Sequence, residues 1–309
     1  MTSSKKWKHN LLSSSVPLEF EIAKALVSNG FSITPDYTYS RNDSGITKDF
    51  SVDMKASAYW PFYDPNQIKL ELDILVECKY RSKNTKWLFL PEINKPDFSN
   101  VTLGHTLRVV DNFSPYFVSS VPSYEFEMEV SHCYKGIEIK SDGSVYGTEL
   151  VHGVRQMQYA LPQLLYNNIL FNLGSHWDDK VPFVLSTIMV TTADLYVVKR
   201  RKGLKDFEKV GDIQEIAVEV PFLLFFSDYG PDFESHCFQK FRYMDDECDV
   251  SQLQKLDQIC EQTEKQVFSF QYPSYVIQSL IRGERSELLR HFTQFFICSQ
   301  THFENLIQK

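Results

Sequence analysis

Glu77-Cys78-Lys79 closes an alternating run from Ile68 to Arg81, and an earlier alternating run carries Asp53. At period two, Ile68, Leu70, Leu72, Ile74, Val76, Cys78 and Tyr80 share one face of a strand, and Lys69, Glu71, Asp73, Leu75, Glu77, Lys79 and Arg81 share the other. In the earlier run Phe50, Val52, Met54, Ala56 and Ala58 take the buried side, opposite Asp49, Ser51, Asp53, Lys55 and Ser57. Paired as neighbours, the two strands would bring Asp53, Glu77 and Lys79 to one polar surface. Two carboxylates on adjacent strands can hold a hard divalent cation such as magnesium, which keeps waters that a substrate phosphate can replace. A lysine two strand residues further on, about 7 Å away, can orient an attacking water and offset the charge of a phosphorane. Hydrolysis of a phosphodiester is the chemistry this arrangement suits. An isolated E-x-K is more often a solvated sheet face, with Glu and Lys as cross-strand partners, than a catalytic motif, and it is the order of the surrounding elements that favours the site. Glu71 and Asp73 share the face and are expected to be solvated, with Asp73 a further candidate for a second-metal ligand.

The surrounding elements must position these side chains. Pro17 and Gly30 bracket an amphipathic helix with Leu18, Ile22, Ala25 and Leu26 along one stripe, and Glu19 and Glu21 both flank that stripe. A strand from about Phe31 to Ser40 follows, then the two alternating runs at 49–58 and 68–81, joined by a proline-interrupted turn. Residues 82–148 read as an insertion forming a small β subdomain, with Asp142-Gly143 marking a hairpin. Leu150, Val154, Met157, Leu161, Leu164 and Leu165 predict a helix from Thr148, bent at Pro162, whose polar side carries Gln156. A strand is expected over 183–198 and another over 213–226. Residues 227–250 read as an acidic linker. The region from 250 onward reads as mostly helical, with Phe292, Phe295, Phe296 and Ile297 on an apolar helix face.

At these residues the chain resembles the PD-(D/E)xK nuclease superfamily, in particular its Mrr-like and restriction-endonuclease-like branch. The resemblance is carried by Leu18 to Leu26 for a first helix, Phe50 to Ala56 for the strand with the metal aspartate, Leu75 to Arg81 for the E-x-K strand, and Phe183 to Leu195 for a later core strand. It implies an α/β restriction-endonuclease-like core, a central mixed sheet flanked by helices, over 16–226, with the β insertion at about 82–148. A basic flexible tail would precede it at 1–15, and an acidic linker and helical C-terminal region would follow at 227–309. It also implies that Asp53 and Glu77 ligate the metal together with the backbone carbonyl of Cys78, that Lys79 serves the attacking water, and that Glu19 binds or orients from the helix. Spacing to Gly30-Phe31 favours Glu19 over Glu21. The cofactor would be Mg2+, with Mn2+ as substitute, and the substrate DNA. Prokaryotic restriction or anti-phage defence is the natural setting of such enzymes, as a homodimer or within a larger complex. RecB-type relatives place Q-x-x-x-Y after E-x-K, whereas here Gln156 is followed four places later by Ala160, leaving Gln156 as a candidate for orienting substrate or lysine.

Composition bounds the alternatives. The 309 residues, 43% hydrophobic and 14% aromatic, suffice for a substantial core, in one elaborated domain or two. A net charge of −8 counts against indiscriminate coating of nucleic acid, which phosphate neutralisation dominates. Local basic clusters still offer a route: Arg81, Lys83 and Lys86 beside the site, Lys55 on its face, and Lys199 to Lys202 with Lys205 further on. The six cysteines lack C-x-x-C spacing and read as reduced thiols of a cytoplasmic protein, and no H-E-x-x-H pair or phosphate-binding glycine loop is present. No apolar run approaches the ~20 residues of a membrane span. A non-catalytic binding module on the same fold, or a nuclease acting on RNA or single strands, are the competing readings.

Overall fold

The computed structural model describes residues 3–60, 70–93, 105–109, 130–174, 183–200, 202–241 and 292–307. Twelve strands form one mixed sheet flanked by helices on both faces. The strands are β1 (Ser32–Asp43), β2 (Ile46–Trp60), β3 (Leu70–Lys79), β4 (Lys86–Pro91), β5 (His105–Val109), β6 (His132–Ile139), β7 (Val145–Tyr146), β8 (Phe183–Thr191), β9 (Asp194–Val198), β10 (Ala217–Glu219), β11 (Phe222–Phe226) and β12 (Gln294–Ser299). The helices are α1 (Ser3–Leu12), α2 (Val16–Ser28), α3 (Thr148–Gly174), α4 (Leu204–Phe207), α5 (Pro231–Phe241) and α6 (Gln300–Ile307). Across the sheet the order is β1, β2, β3, β8, β12, β11, β6, β4, β9, β10, with β5 beside β8 and β7 beside β6.

The β1–β2 hairpin joins β3 antiparallel, whereas β3, β8 and β12 run parallel. Parallel strands covered on both faces must be apolar on both, and β8 follows that rule. Leu185 and Met189 enter the layer under α3 and α5, while Ile188 and Val190 enter the layer under α2 and α6. Leu18, Ile22 and Leu26 of α2 recur every four residues and are all buried. Pro occupies the first turn of that helix, and Gly30, at φ 88°, turns the chain into β1. The run Phe295, Phe296, Ile297, expected on a helix, belongs instead to strand β12, which is buried on both faces between β8 and β11. A continuous apolar run that short does not distinguish the two states by periodicity.

Four further differences from expectation concern element boundaries. The expected tail contains helix α1, and the expected acidic linker contains α5, whose Phe233, Cys237 and Phe241 are buried against α3 while Glu234 is exposed and Asp232 accepts from the Tyr159 hydroxyl of α3. The single strand expected at 183–198 is two, β8 and β9, separated at Thr192-Ala193. Within 82–148, strands β4 and β6 lie inside the main sheet and β7 extends β6 around Gly143, at φ 81°, so the described part of this stretch widens the sheet. Cys78, Cys133, Cys237 and Cys298 are buried and unbridged. Among the described residues no helix is long and apolar enough to cross a membrane.

Candidate active site

Strand β2 pairs with β3 from Trp60↔Leu70 down to Met54↔Val76, and there the ladder stops. The next two strand donors are taken by carboxylates. The Cys78 N–H donates to Asp53 Oδ2 at 2.6 Å, and the Asp53 N–H donates to Glu77 Oε2 at 3.4 Å. The hairpin also rotates here: Met54 packs in the α2 layer, whereas Val52, of the same parity, packs in the α3 layer. Across β1 the residue facing this point is Asp36, which adopts φ 49°. Divergence of the two strands opens the sheet at the C-terminal end of β3, and Asp53 sits in the opening.

Lys79 completes the cluster. Its ammonium donates to Glu77 Oε1 at 2.6 Å and to Gln156 Oε1 at 3.2 Å. Gln156 in turn donates through Nε2 to the Ser51 carbonyl at 3.1 Å, so one α3 side chain ties the lysine to β2. Close approach of α3 depends on Gly153. A Cβ at that position would stand 2.7 Å from Lys79 Cε, 2.8 Å from Met189 Cε and 3.5 Å from Glu77 Cγ. The backbone of Lys79 is fixed as well, because Thr191 Oγ1 donates to its carbonyl at 2.9 Å and Thr192 Oγ1 accepts from the Arg81 N–H at 2.6 Å. These threonines stand at the end of β8, the strand paired parallel with β3 through Lys79↔Thr191.

Burial sets the electrostatics. Glu77 is fully buried, and the loss of water together with the nearby Asp53 carboxylate pushes its carboxyl up to about 7, an effect Lys79 only partly offsets. Burial also raises Asp53, against the Cys78 N–H and Lys79, which favour its anion. Glu19, one turn into α2, is raised by burial and then by Asp53 and Asp36, while Lys79 opposes the rise. Glu19 therefore lies within electrostatic reach of the cluster. Glu21 is exposed on the far side of its helix, where it accepts from Gln300 of α6 at 2.5 Å. The Cys78 thiol lies in the α2 layer, and burial pushes it well above the usual thiol range.

Several expected residues lie elsewhere or are engaged. Glu71 and Asp73 are buried, not solvated. Asp73 accepts from Ser57, from Lys55 at 3.4 Å and from Asn168 of α3 at 2.9 Å, a closed network four strand residues from Glu77. Lys55 is thus an ion-pair partner inside the sheet layer. Arg81 is held by Glu138 at 2.6 Å and Glu149 at 3.3 Å, with the Trp87 ring beneath its guanidinium. Lys86 lies over the Tyr196 ring, and Lys83 is exposed in the turn after β3. Lys199 caps the carbonyls of Gln214 and Glu215, and Lys202 pairs with Asp206. Gly153 and the Asn168 contact escaped the sequence reading. The available signal was a glycine inside an otherwise strongly apolar helical repeat, where it costs ~1 kcal/mol relative to alanine and so needs a reason.

Among the described residues, no group of three or more His, Cys, Asp and Glu side chains is gathered closely enough to hold a metal ion. The donors at Asp53 and Glu77 are hard carboxylate oxygens, the ligand type a magnesium ion prefers, and their proton affinity is raised first of all by burial. Comparison with protein-family models, with curated proteins and with solved structures gives no match.

Proposed function

We propose that the chain is a divalent-metal-dependent phosphodiester hydrolase acting on DNA, with Asp53 and Glu77 as metal ligands and Lys79 beside the attacking water. One observation carries the reading: two strands that should stay paired separate at Asp53 and Glu77, and their carboxylates take the freed backbone donors beside a half-buried lysine. A structural role alone would be met by continuing the ladder. When bound, magnesium would supply a polarised phosphate and an acidified water. Gln156 and Glu77 hold the Lys79 ammonium, Thr191 fixes its backbone, and Glu19 adds negative charge from α2. The Cys78 carbonyl is the further ligand the sequence resemblance implies.

A second reading has its own observation. Glu77 is fully buried and already satisfied by Lys79 at 2.6 Å, as a structural ion pair would be, which favours a non-catalytic binding module. The separating experiment incubates the protein and its Glu77→Ala and Lys79→Ala variants with plasmid DNA, single-stranded DNA and RNA, in magnesium, in manganese and in chelator. Metal-dependent cutting of DNA lost in both variants supports the hydrolase. Intact substrate throughout supports the binding module, and cutting confined to RNA reassigns the substrate.

A further inference from the structure

Arg41 stands on β1 with its guanidinium carbon 4.2 Å from the centroid of the Phe50 ring and 4.5 Å from that of Tyr159. A guanidinium within cation–π distance of two aromatic rings is attracted to both, and its N–H donors remain able to meet an acceptor. Among the described residues no hydrogen bond or ion pair ends on this guanidinium. The carboxylates around it have other partners. Asp43 is bound by Lys48 at 2.6 Å, and Asp232 accepts from the Tyr159 hydroxyl at 2.5 Å. A half-buried guanidinium whose N–H groups have no hydrogen-bond acceptor among the described residues, while its nearest carboxylates are engaged by Lys48 and Tyr159, can take up a further anion.

Its place in the fold links it to the site. Phe50 precedes Ser51, whose carbonyl receives Gln156, and Tyr159 follows Gln156 by one turn on α3. Both clamping rings therefore come from the two elements that hold Lys79. Between them, the Tyr39 hydroxyl is pushed up to about 12 by burial, with Arg41 opposing and Glu77 adding to the rise, so it senses both groups. Arg155, one turn before Tyr159, spends one nitrogen on Gln158 at 2.7 Å and lies close enough to act on Tyr159 together with Arg41.

We propose that Arg41, clamped by Phe50 and Tyr159, binds a backbone phosphate of the nucleic-acid strand engaged at Asp53, Glu77 and Lys79, with Arg155 as a second contact on the same track. This rests on the phosphodiesterase reading and adds the positioning of its substrate. A planar fork matches phosphate oxygens, and the contact carries no base information, so it predicts affinity without sequence preference.

The test is binding in chelator, where no turnover occurs, of short end-labelled single-stranded DNA, duplex DNA and RNA, followed by fluorescence anisotropy over a salt series. Arg41→Met, checked for folding by its urea transition, is expected to bind about tenfold more weakly, with the slope of log K against log salt reduced by about 1. Arg41→Lys keeps the charge and is expected to keep the slope while losing part of the affinity, since an ammonium does not stack as a plane. Equal affinity and slope in Arg41→Met and the unsubstituted chain would overturn the proposal whether or not the protein cuts. So would failure of the unsubstituted protein to bind any of the probes. Weakened binding in Arg41→Met by a protein that never cuts in magnesium supports the Arg41 contact and removes the hydrolase reading instead.

Discussion

A methyl group added at position 153 would meet the far ends of two flexible side chains, Lys79 and Met189. Such ends can move, and replacing glycine inside a helix recovers up to ~1 kcal/mol of propensity. Gly153→Ala is therefore expected to change the urea midpoint little while displacing the lysine from Glu77 and Gln156, so that metal-dependent cutting falls about tenfold or more in a folded protein; unaltered cutting would show that α3 does not position the lysine. Glu77 makes a separate prediction. Its folded carboxyl binds a proton more tightly than the unfolded one, so its contribution to stability declines as pH rises from the ordinary value of 4.5 through about 7 and is lowest above that. The shift corresponds to about 3 kcal/mol at most. Without divalent ions, thermal stability should fall from pH 5 to pH 8 by more in the unsubstituted chain than in Glu77→Gln, with scans at each pH as the measurement. The type and spacing of Asp53, Glu77 and Lys79 were legible in the sequence because period two fixes which side chains share a face. Their burial was not, because it depends on α3 lying over a face that reads as polar. Arg41 was silent because its stacking partners are contributed by β2 and α3, from positions 50 and 159.

At the scale of elements, amphipathic order was readable wherever the repeat was long. Leu18, Ile22 and Leu26 disclosed α2, and the apolar series from Leu150 disclosed α3 through Pro162. Short or masked patterns failed. In α5 the buried Phe233, Cys237 and Phe241 sit among Asp232 and Glu234, and the acids suggested a linker. In β12 the apolar run belongs to a central strand whose neighbours, β8 and β11, are set by chain segments far from it in sequence. Phe295 is fully buried in that strand, beneath α3 and α5. Phe295→Ala should cost about 3–5 kcal/mol of unfolding free energy in denaturant titration, whereas a residue on a surface helix would cost far less. The network of Asp73 with Lys55, Ser57 and Asn168 joins β3 to α3 by buried polar contacts. Asp73→Ala would remove the carboxylate that pairs with Lys55 and accepts from Ser57 and Asn168, and should destabilise by ~3–5 kcal/mol in the same titration.

For the whole molecule, the candidate site lies where the β1–β2 hairpin parts from the parallel strands. The parallel strands β3 and β8 supply a rigid floor, with Thr191 and Thr192 clasping the chain after Lys79, while α2 and α3 approach the opening from opposite faces. A net charge of −8 is then compatible with nucleic-acid binding confined to one track, because Arg81, Lys55 and Lys202 have carboxylate partners while Arg41 has none among the described residues. Salt should weaken such binding with a shallow slope, reflecting few phosphate contacts. The central claim is that Asp53 and Glu77 jointly hold a divalent ion beside Lys79. Titration of Mn2+ into the protein at pH 8, with free ion followed by electron paramagnetic resonance, tests it most directly. Binding of manganese by the unsubstituted chain, abolished in both Asp53→Asn and Glu77→Gln, is the predicted result. Undiminished binding in those variants, or no binding by the unsubstituted chain at millimolar ion, would contradict it.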